Sequence, residues 1–455
     1  MKLTKLSLIA AMLIGSTAFA IENTKVSGDV KLFYGTMDSD NTAGQTNAAS
    51  QPVDGKTSFF DADGAYGNAA VNLELTTDLT KGVSGGVKGT FVTTLGLENN
   101  LVSNTWSNVH GVTENDDGGF SNNAGQGYQL DDAMYIGELW IAGSAFDTTL
   151  KVGRQALDTP LAFTETWGID QNTFEAAVVI NQSIPDTTLV GAYVGKSNGS
   201  ADDVTTNLTI NDITAARAGY VAEGGKFNTF AQDGVYVAGL INNSFKPLTV
   251  QAWYYGLQQM AEALWVQADL NIDGILAGAQ YTEIDTDKYL SGAKEDEAYA
   301  VMLGYEAKDI ATVKVAYSSV DNEGTIGVAN VATGSNVVTS RNGSDAQSKL
   351  YTEMWWKYGA VSKTGADSFA ITAETTVVGV DLLLGYYNVD IDSAATSTTE
   401  ANADEKMTEI ALVASKSFGP LDTSLAIILD EYEDNKDHTN DFDATHLQVY
   451  LTYNF

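Results

Sequence analysis

The chain has 455 residues, no cysteine, and 59 acidic against 24 basic side chains, for a net charge of −35. Such an acid surplus argues against nucleic-acid binding, because phosphate contacts need the opposite sign. Three histidines, no cysteine and no phosphate loop leave no basis for reading the chain as an enzyme.

Lys2 and Lys5, the apolar run Leu6 to Gly15 and the small-x-small Ala18-Phe19-Ala20 read as a secretory signal peptide removed after Ala20. Residues 21–455 then form one domain. The apolar run is about half of the ~20 residues a spanning helix needs, and charged, amide or glycine residues interrupt every later one. A membrane location therefore calls for a closed barrel, whose strands satisfy one another's backbone groups without disulfides.

Strand-like alternation recurs along the chain. Val26, Gly28, Val30, Leu32 and Tyr34 oppose Ser27, Asp29, Lys31 and Phe33. Val71, Leu73 and Leu75 oppose Asn72, Glu74 and Thr76, and Val87, Gly89 and Phe91 oppose Lys88 and Thr90. Ala311, Val313, Val315 and Tyr317 oppose Thr312, Lys314 and Ser318; Val378, Val380, Leu382, Leu384 and Tyr386 oppose Gly379, Asp381 and Gly385. Charges recur in the polar phase of otherwise apolar strands, which fits a wet interior better than a packed core.

Two kinds of connection alternate. Tight turns are expected near 78–82, 143–147, 183–186, 243–247, 271–274, 307–310, 374–376 and 419–422, three of them carrying Pro185, Pro247 and Pro420. Long polar connections are expected near 36–66, 97–131, 155–171, 195–231, 283–296, 319–366, 389–405 and 431–443, with a brief excursion at 256–261. Eight tight and nine long joints predict an all-β, transmembrane antiparallel barrel of eighteen strands, with short periplasmic turns and long extracellular loops. Merging two weaker segments would give sixteen. The strand-like Leu350 to Trp356 would make the number odd, so it is placed in the seventh long loop or above the membrane. Aromatics at Tyr34, Tyr135, Tyr193, Trp253 to Tyr255, Tyr305, Tyr317, Tyr386, Tyr387 and Phe455 lie where interface girdles are expected.

Catalytic residues are not found. The acidic loop motifs Asp61-Ala62-Asp63-Gly64, Asp116-Asp117-Gly118 and Asp441-Phe442-Asp443 have the oxygen-ligand character of Ca²⁺ sites, but none has EF-hand spacing; no cofactor is implied. His110 and His438 lie in loop-like sequence near acids, and His446 in the polar phase of the last strand.

The third long connection is richer. Lys151-Val152-Gly153-Arg154-Gln155 leads to Asp158-Thr159-Pro160-Leu161 and Glu165 to Asp170, and Thr173-Phe174-Glu175-Ala176-Ala177 re-enters the wall. Together with Leu350 to Trp356 and the aromatic end, these elements resemble Opr-type outer-membrane porins of Campylobacter-like bacteria. That resemblance covers most of residues 21–455 but not the long loops. It implies an eighteen-stranded barrel, usually trimeric, that passes small hydrophilic solutes and often favours cations. Relatives specialised for carboxylates carry a ladder of arginines. Here only Arg154, Arg217 and Arg341 exist, so such uptake is disfavoured, and Lys31, Lys88, Lys151 and Lys314 make a weaker ladder.

A third loop folded into the lumen would set Arg154, Asp158, Glu165 and Asp170 at a constriction. Arg154 shares the phase of Leu150 and Val152, so it either turns inward with the loop or meets a neighbouring subunit. The first is preferred, since an unpaired arginine facing lipid costs about 2–4 kcal/mol. Asp29, Glu74, Glu138, Asp269, Asp381 and Glu409, opposed by Lys31, Lys88 and Lys314, would line a water-filled lumen whose acid surplus favours cations. The expectation is a passive diffusion porin in a Gram-negative outer membrane. Its partners would be membrane lipid, lipopolysaccharide, small solutes and cations, two further copies of itself and the barrel-assembly machinery. The rival is a secreted, acidic surface-layer or adhesin protein built of soluble sandwiches.

The last residues separate the two. Leu447, Val449, Leu451, Tyr453 and Phe455 alternate with Gln448, Tyr450, Thr452 and Asn454. A lipid-facing closing strand with Tyr453 and Phe455 as its assembly signal explains that ending, and a sandwich does not. Its other face, His446, Gln448, Tyr450 and Thr452, should meet water.

Overall fold

A computed structural model describes residues 22–40, 56–99, 101–112, 130–199, 208–210, 213–217, 220–231, 233–286, 293–333, 346–392, 405–434 and 441–455. The signal-peptide segment, Asp116 to Gly118, Arg341 and His438 lie outside the described residues.

Eighteen antiparallel strands form the wall. They are β1 (Glu22–Asp40), β2 (Ala65–Thr80), β3 (Val83–Thr93), β4 (Ala133–Ala145), β5 (Thr148–Gln155), β6 (Phe174–Asn181), β7 (Thr187–Ser197), β8 (Val235–Asn242) and β9 (Leu248–Leu257). The second half comprises β10 (Ala261–Ile272), β11 (Ile275–Asp285), β12 (Asp296–Ala307), β13 (Ala311–Val320), β14 (Ala366–Val377), β15 (Val380–Ile391), β16 (Glu405–Phe418), β17 (Leu421–Asp434) and β18 (Phe442–Asn454). Each pairs with its sequence neighbours, and β18 closes on β1 in unbroken register from Asp29↔Asn454 to Ser39↔Ala444. No edge is left, so soluble sandwiches are excluded.

Short and long connections alternate around the rims as the turn chemistry implied. One turn lies elsewhere. Residues 374–376 belong to β14, and the chain reverses at Val378 and Gly379 with φ of 53° and 70°. A β-branched residue rarely enters the left-handed region, so Val378 masked the turn that Gly379 makes feasible.

Outward positions are apolar around the wall, among them Val30, Val71, Ile141, Leu150, Val266, Leu303, Val315, Leu384, Leu412 and Ile427, all exposed. This is the surface a barrel presents to hydrocarbon. Tyr193, Tyr254, Tyr305, Tyr317, Tyr386 and Phe455 stay on that exterior, whereas Tyr135, Trp253, Tyr255 and Tyr387 are buried and do not belong to a girdle.

The inward phase departs from a uniformly wet interior. Ala263, Ala298, Ala300, Ala316, Ala370, Ala411 and Ala426 are buried there beside Leu161, Leu350, Met354 and Val361 of the third and seventh long loops. These small side chains leave room for loops to pack inside the wall. On β18, His446 (3% exposed) and Gln448 (1%) are covered rather than bathed in water.

Phe455 completes the seam: its amide donates to Gly28 O and its carbonyl accepts from Gly28 N, both at 2.9 Å. Deleting Phe455 removes this last backbone pair and an aromatic side chain at the rim. The fraction running as folded, heat-modifiable barrel in detergent gels should fall several-fold; an unchanged fraction would refute an assembly role.

Candidate pore constriction

Among the described residues, two loops supply most of the chain packed inside the barrel. L3 (residues 156–173) leaves β5 and returns at β6; L7 (residues 321–365) joins β13 to β14. Irregular backbone inside a barrel must find hydrogen-bond partners. Here many are carboxylates.

Asp296, at the start of β12, accepts the amides of Thr325 and Ile326 (3.0 Å each) and Gly327 (2.7 Å). Glu409 on β16 accepts those of Trp355 (2.8 Å), Trp356 (3.0 Å) and Lys357 (2.9 Å). Glu353 accepts the Ser348 amide at 2.9 Å and the Gln347 side-chain amide at 2.8 Å. Between these anchors, Tyr351 donates to Asp269 on β10 at 2.5 Å. Its ring lies where a Cβ at Gly278 would stand, so glycine is required in β11. Leu350 to Trp356 thus crosses the lumen and is neither strand nor extension above the membrane.

L3 is held by the same chemistry. Glu165 is 1% exposed and accepts Trp167 Nε1 (2.7 Å), Asn330 Nδ2 (2.9 Å), the Gln347 amide (3.2 Å) and the Thr333 hydroxyl. It joins L3 to L7. Asp170 accepts Ser107 Oγ at 3.0 Å from the second long loop and Tyr135 OH at 3.3 Å from β4. Tyr220 of the fourth loop donates to the carbonyls of Glu165 and Asp170, each at 2.8 Å. Trp106, Trp356 and Tyr66 lie nearly parallel, with centroids 5.2–5.7 Å apart, and Trp167 meets Trp106 edge-on at 4.9 Å.

The L3 residues singled out in the sequence therefore part company. Asp158 is exposed and pairs with Lys349 of L7 at 3.0 Å. Glu165 and Asp170 are sealed and present no open charge. Arg154 does not turn inward. β5 remains paired with β6 through Gln155↔Phe174, so the alternation carries Arg154 outward, opposite Glu175. Its Nη2 lies 3.0 Å from Glu175 Oε1, Lys196 adds a second contact at 3.5 Å, and Phe227 lies 4.1 Å beneath the guanidinium. That local counter-charge is what the lipid-cost argument omitted.

Asp29, Lys31, Glu74, Lys88, Glu138, Asp269, Lys314, Asp381 and Glu409 all occupy the inward phase. Glu74 faces Lys88 directly and Lys88 faces Glu138, so the β1–β5 wall alternates in sign. Glu409 stands apart as a buried anchor. Among the residues that sequence reasoning missed are Trp106, Tyr220, Asp296, Asn330, Thr333, Gln347 and Glu353. The one available signal was the density of aromatic residues within otherwise polar loops.

His110 is buried, with Nδ1 3.0 Å from Asp131 O. Among the described residues no three acidic or histidine side chains gather as a metal site. Asp61 to Gly64 forms a short turn in which Asp61 accepts the Ser58 amide.

No family model matches the chain, and no curated protein sequence matches it. Solved structures do. Pseudomonas aeruginosa OpdK, crystallised with vanillate, is 14% identical and superposes with a TM-score of 0.63 over 96% of this chain and 100% of its own. OccK9 (OpdG) from the same organism is 15% identical, with a TM-score of 0.63 over 96% and 99%. OccK3 (OpdO) is 14% identical, with a TM-score of 0.61 over 96% of each. The fold is that of the Pseudomonas Occ/OprD channels. At such identity the likeness is one of architecture. The Occ-like fold extends over nearly the whole chain.

Two predictions follow from the loop anchors. Glu409→Gln replaces one of the two acceptor oxygens, each of which serves two of these backbone amides, with an NH₂ donor, at a cost of about 1–3 kcal/mol. Amide exchange at residues 355–357 should accelerate roughly ten-fold or more while the barrel stays heat-modifiable; unchanged exchange would refute the anchor. The second concerns pH. Burial pushes the Asp170 carboxyl up to about 6 against opposing bonds from Ser107 and Tyr135, and pushes Glu353 up to about 8. Packed loops keep these protons where displaced loops lose them, so packing weakens as pH rises from about 4 through both values. Exchange in L3 and L7, corrected for its intrinsic pH dependence, should be faster at about pH 8.5 than at about pH 5.

Proposed function

We propose that this chain is an outer-membrane channel through which small hydrophilic solutes and ions diffuse passively, with a preference for cations. The observation that carries the reading is a closed eighteen-stranded wall, apolar outside, whose upper interior is narrowed by L3 and L7 while charged side chains line the inward phase elsewhere. The likeness in fold to Occ/OprD channels supports it. The barrel sits in the outer membrane of a Gram-negative bacterium and does no chemistry on what it passes.

Cation preference rests on Asp158, Asp269, Glu374 and Asp381, which are not buried as Glu165, Asp170 and Glu409 are. Lys31, Lys88 and Lys151 oppose acids on one wall, orienting polar solutes across the passage. OpdK was crystallised with vanillate, a carboxylate. This chain is less suited to such a ligand, since Arg154, one of only three arginines, faces outward. The elements around Arg154 and Trp355 favour the narrower kinship with Campylobacter-like porins and, with it, a homotrimer.

In planar bilayers under a KCl gradient, the wild-type reversal potential should take the sign of cation selectivity, and Asp158→Asn should reduce it. Anion selectivity would overturn the preference, and absence of conductance would overturn the channel.

A further inference from the structure

Beneath L7, on the β12–β16 side, lies a cavity of about 650 Å³. Its roof is Trp355, the most exposed of the seven tryptophans, at 37%. The backbone of Trp355 is fixed by the Glu409 clamp, and the residue lines the cavity with 37% of its surface open. Four carboxylates line the walls: Glu306 on β12, Asp309 in the following turn, Glu374 on β14 and Asp381 on β15. Lys314 is paired with Glu374 at 3.1 Å, and Thr376 donates to Asp381 at 2.6 Å. Leu383 and Val413 supply apolar surface on the same walls.

These features select by chemistry. An anion meets net repulsion. A small hydrated metal cation gains from the carboxylates but has no use for indole, Leu383 or Val413. A neutral apolar solute leaves the carboxylates unanswered. An organic cation satisfies both halves, because an ammonium group is attracted to carboxylates and to the face of an indole ring, while its hydrocarbon body covers apolar wall. A volume of this size holds a small organic molecule.

We propose that this cavity binds organic cations, the ammonium or guanidinium group lying toward Glu374 and Asp381 and the aromatic or aliphatic body against Trp355 and Leu383. The inference deepens the channel reading, on which its physiological meaning rests: the site concentrates amine-bearing solutes on the short-turn side of L7.

The test is calorimetric titration of the detergent-solubilised full chain with benzyltrimethylammonium chloride, with benzyl alcohol and benzenesulfonate as neutral and anionic counterparts. One cation should bind per chain, and neither counterpart should. Trp355→Ala should weaken binding about ten-fold, Trp355→Phe much less, and Asp381→Asn about three-fold or more, with each variant remaining heat-modifiable. Equal binding of benzyl alcohol, an unchanged Kd in Trp355→Ala, or no binding to wild type would each overturn the site. Binding without bilayer conductance would uphold the site and overturn the channel reading, which separates the two failures.

Discussion

The interior of this barrel depends on buried carboxylates that accept backbone amides. A loop drawn into a barrel lumen carries N–H groups that no strand can satisfy, and leaving them unpaired costs roughly as much as the packing gains. Asp296, Glu353 and Glu409 take up amides of L7, and Glu165 takes up one more while binding L3. Remove this chemistry and the aromatic contacts of Trp356 and Trp106, the placement of Tyr351 and the roof over the β12–β16 cavity lose their support.

The acid surplus consequently divides into two populations. Asp158, Asp269, Glu374 and Asp381 stand toward water or polar partners and shape the field inside the barrel. Glu165, Asp170, Glu353 and Glu409 are structural anchors whose charge is hidden or neutralised by protons and amides. A net charge of −35 is therefore a poor measure of the field inside the barrel, which the local arrangement sets.

Narrowing and wall are built on different physics. The wall is held by a continuous strand ladder and an apolar exterior, which tolerates many sequences; this is why chains 14% identical share it. The plug is held by side chain to backbone contacts between particular residues, so it is where related barrels can diverge in what they pass. The carboxyls of Asp170 and Glu353 also make the plug, rather than the wall, the part that responds to pH.

The sequence by itself determined the wall. Alternation of period two, turn chemistry and the aromatic ending are local signals, and each strand repeats them, so strand number, the faces of β1, β2, β13 and β18 and the seam at Phe455 were legible. The β14–β15 turn escaped because Val378 adopts a conformation its side chain disfavours. The interior was not legible. Whether Glu165 and Asp170 face water or protein donors, whether Arg154 meets Glu175, and whether Leu350 to Trp356 crosses the lumen are decided by partners from distant stretches of the chain or across a strand pair. Carboxylates on an inward phase look alike in sequence; only closure of the barrel around L3 and L7 sets which of them meet water and which are buried against backbone.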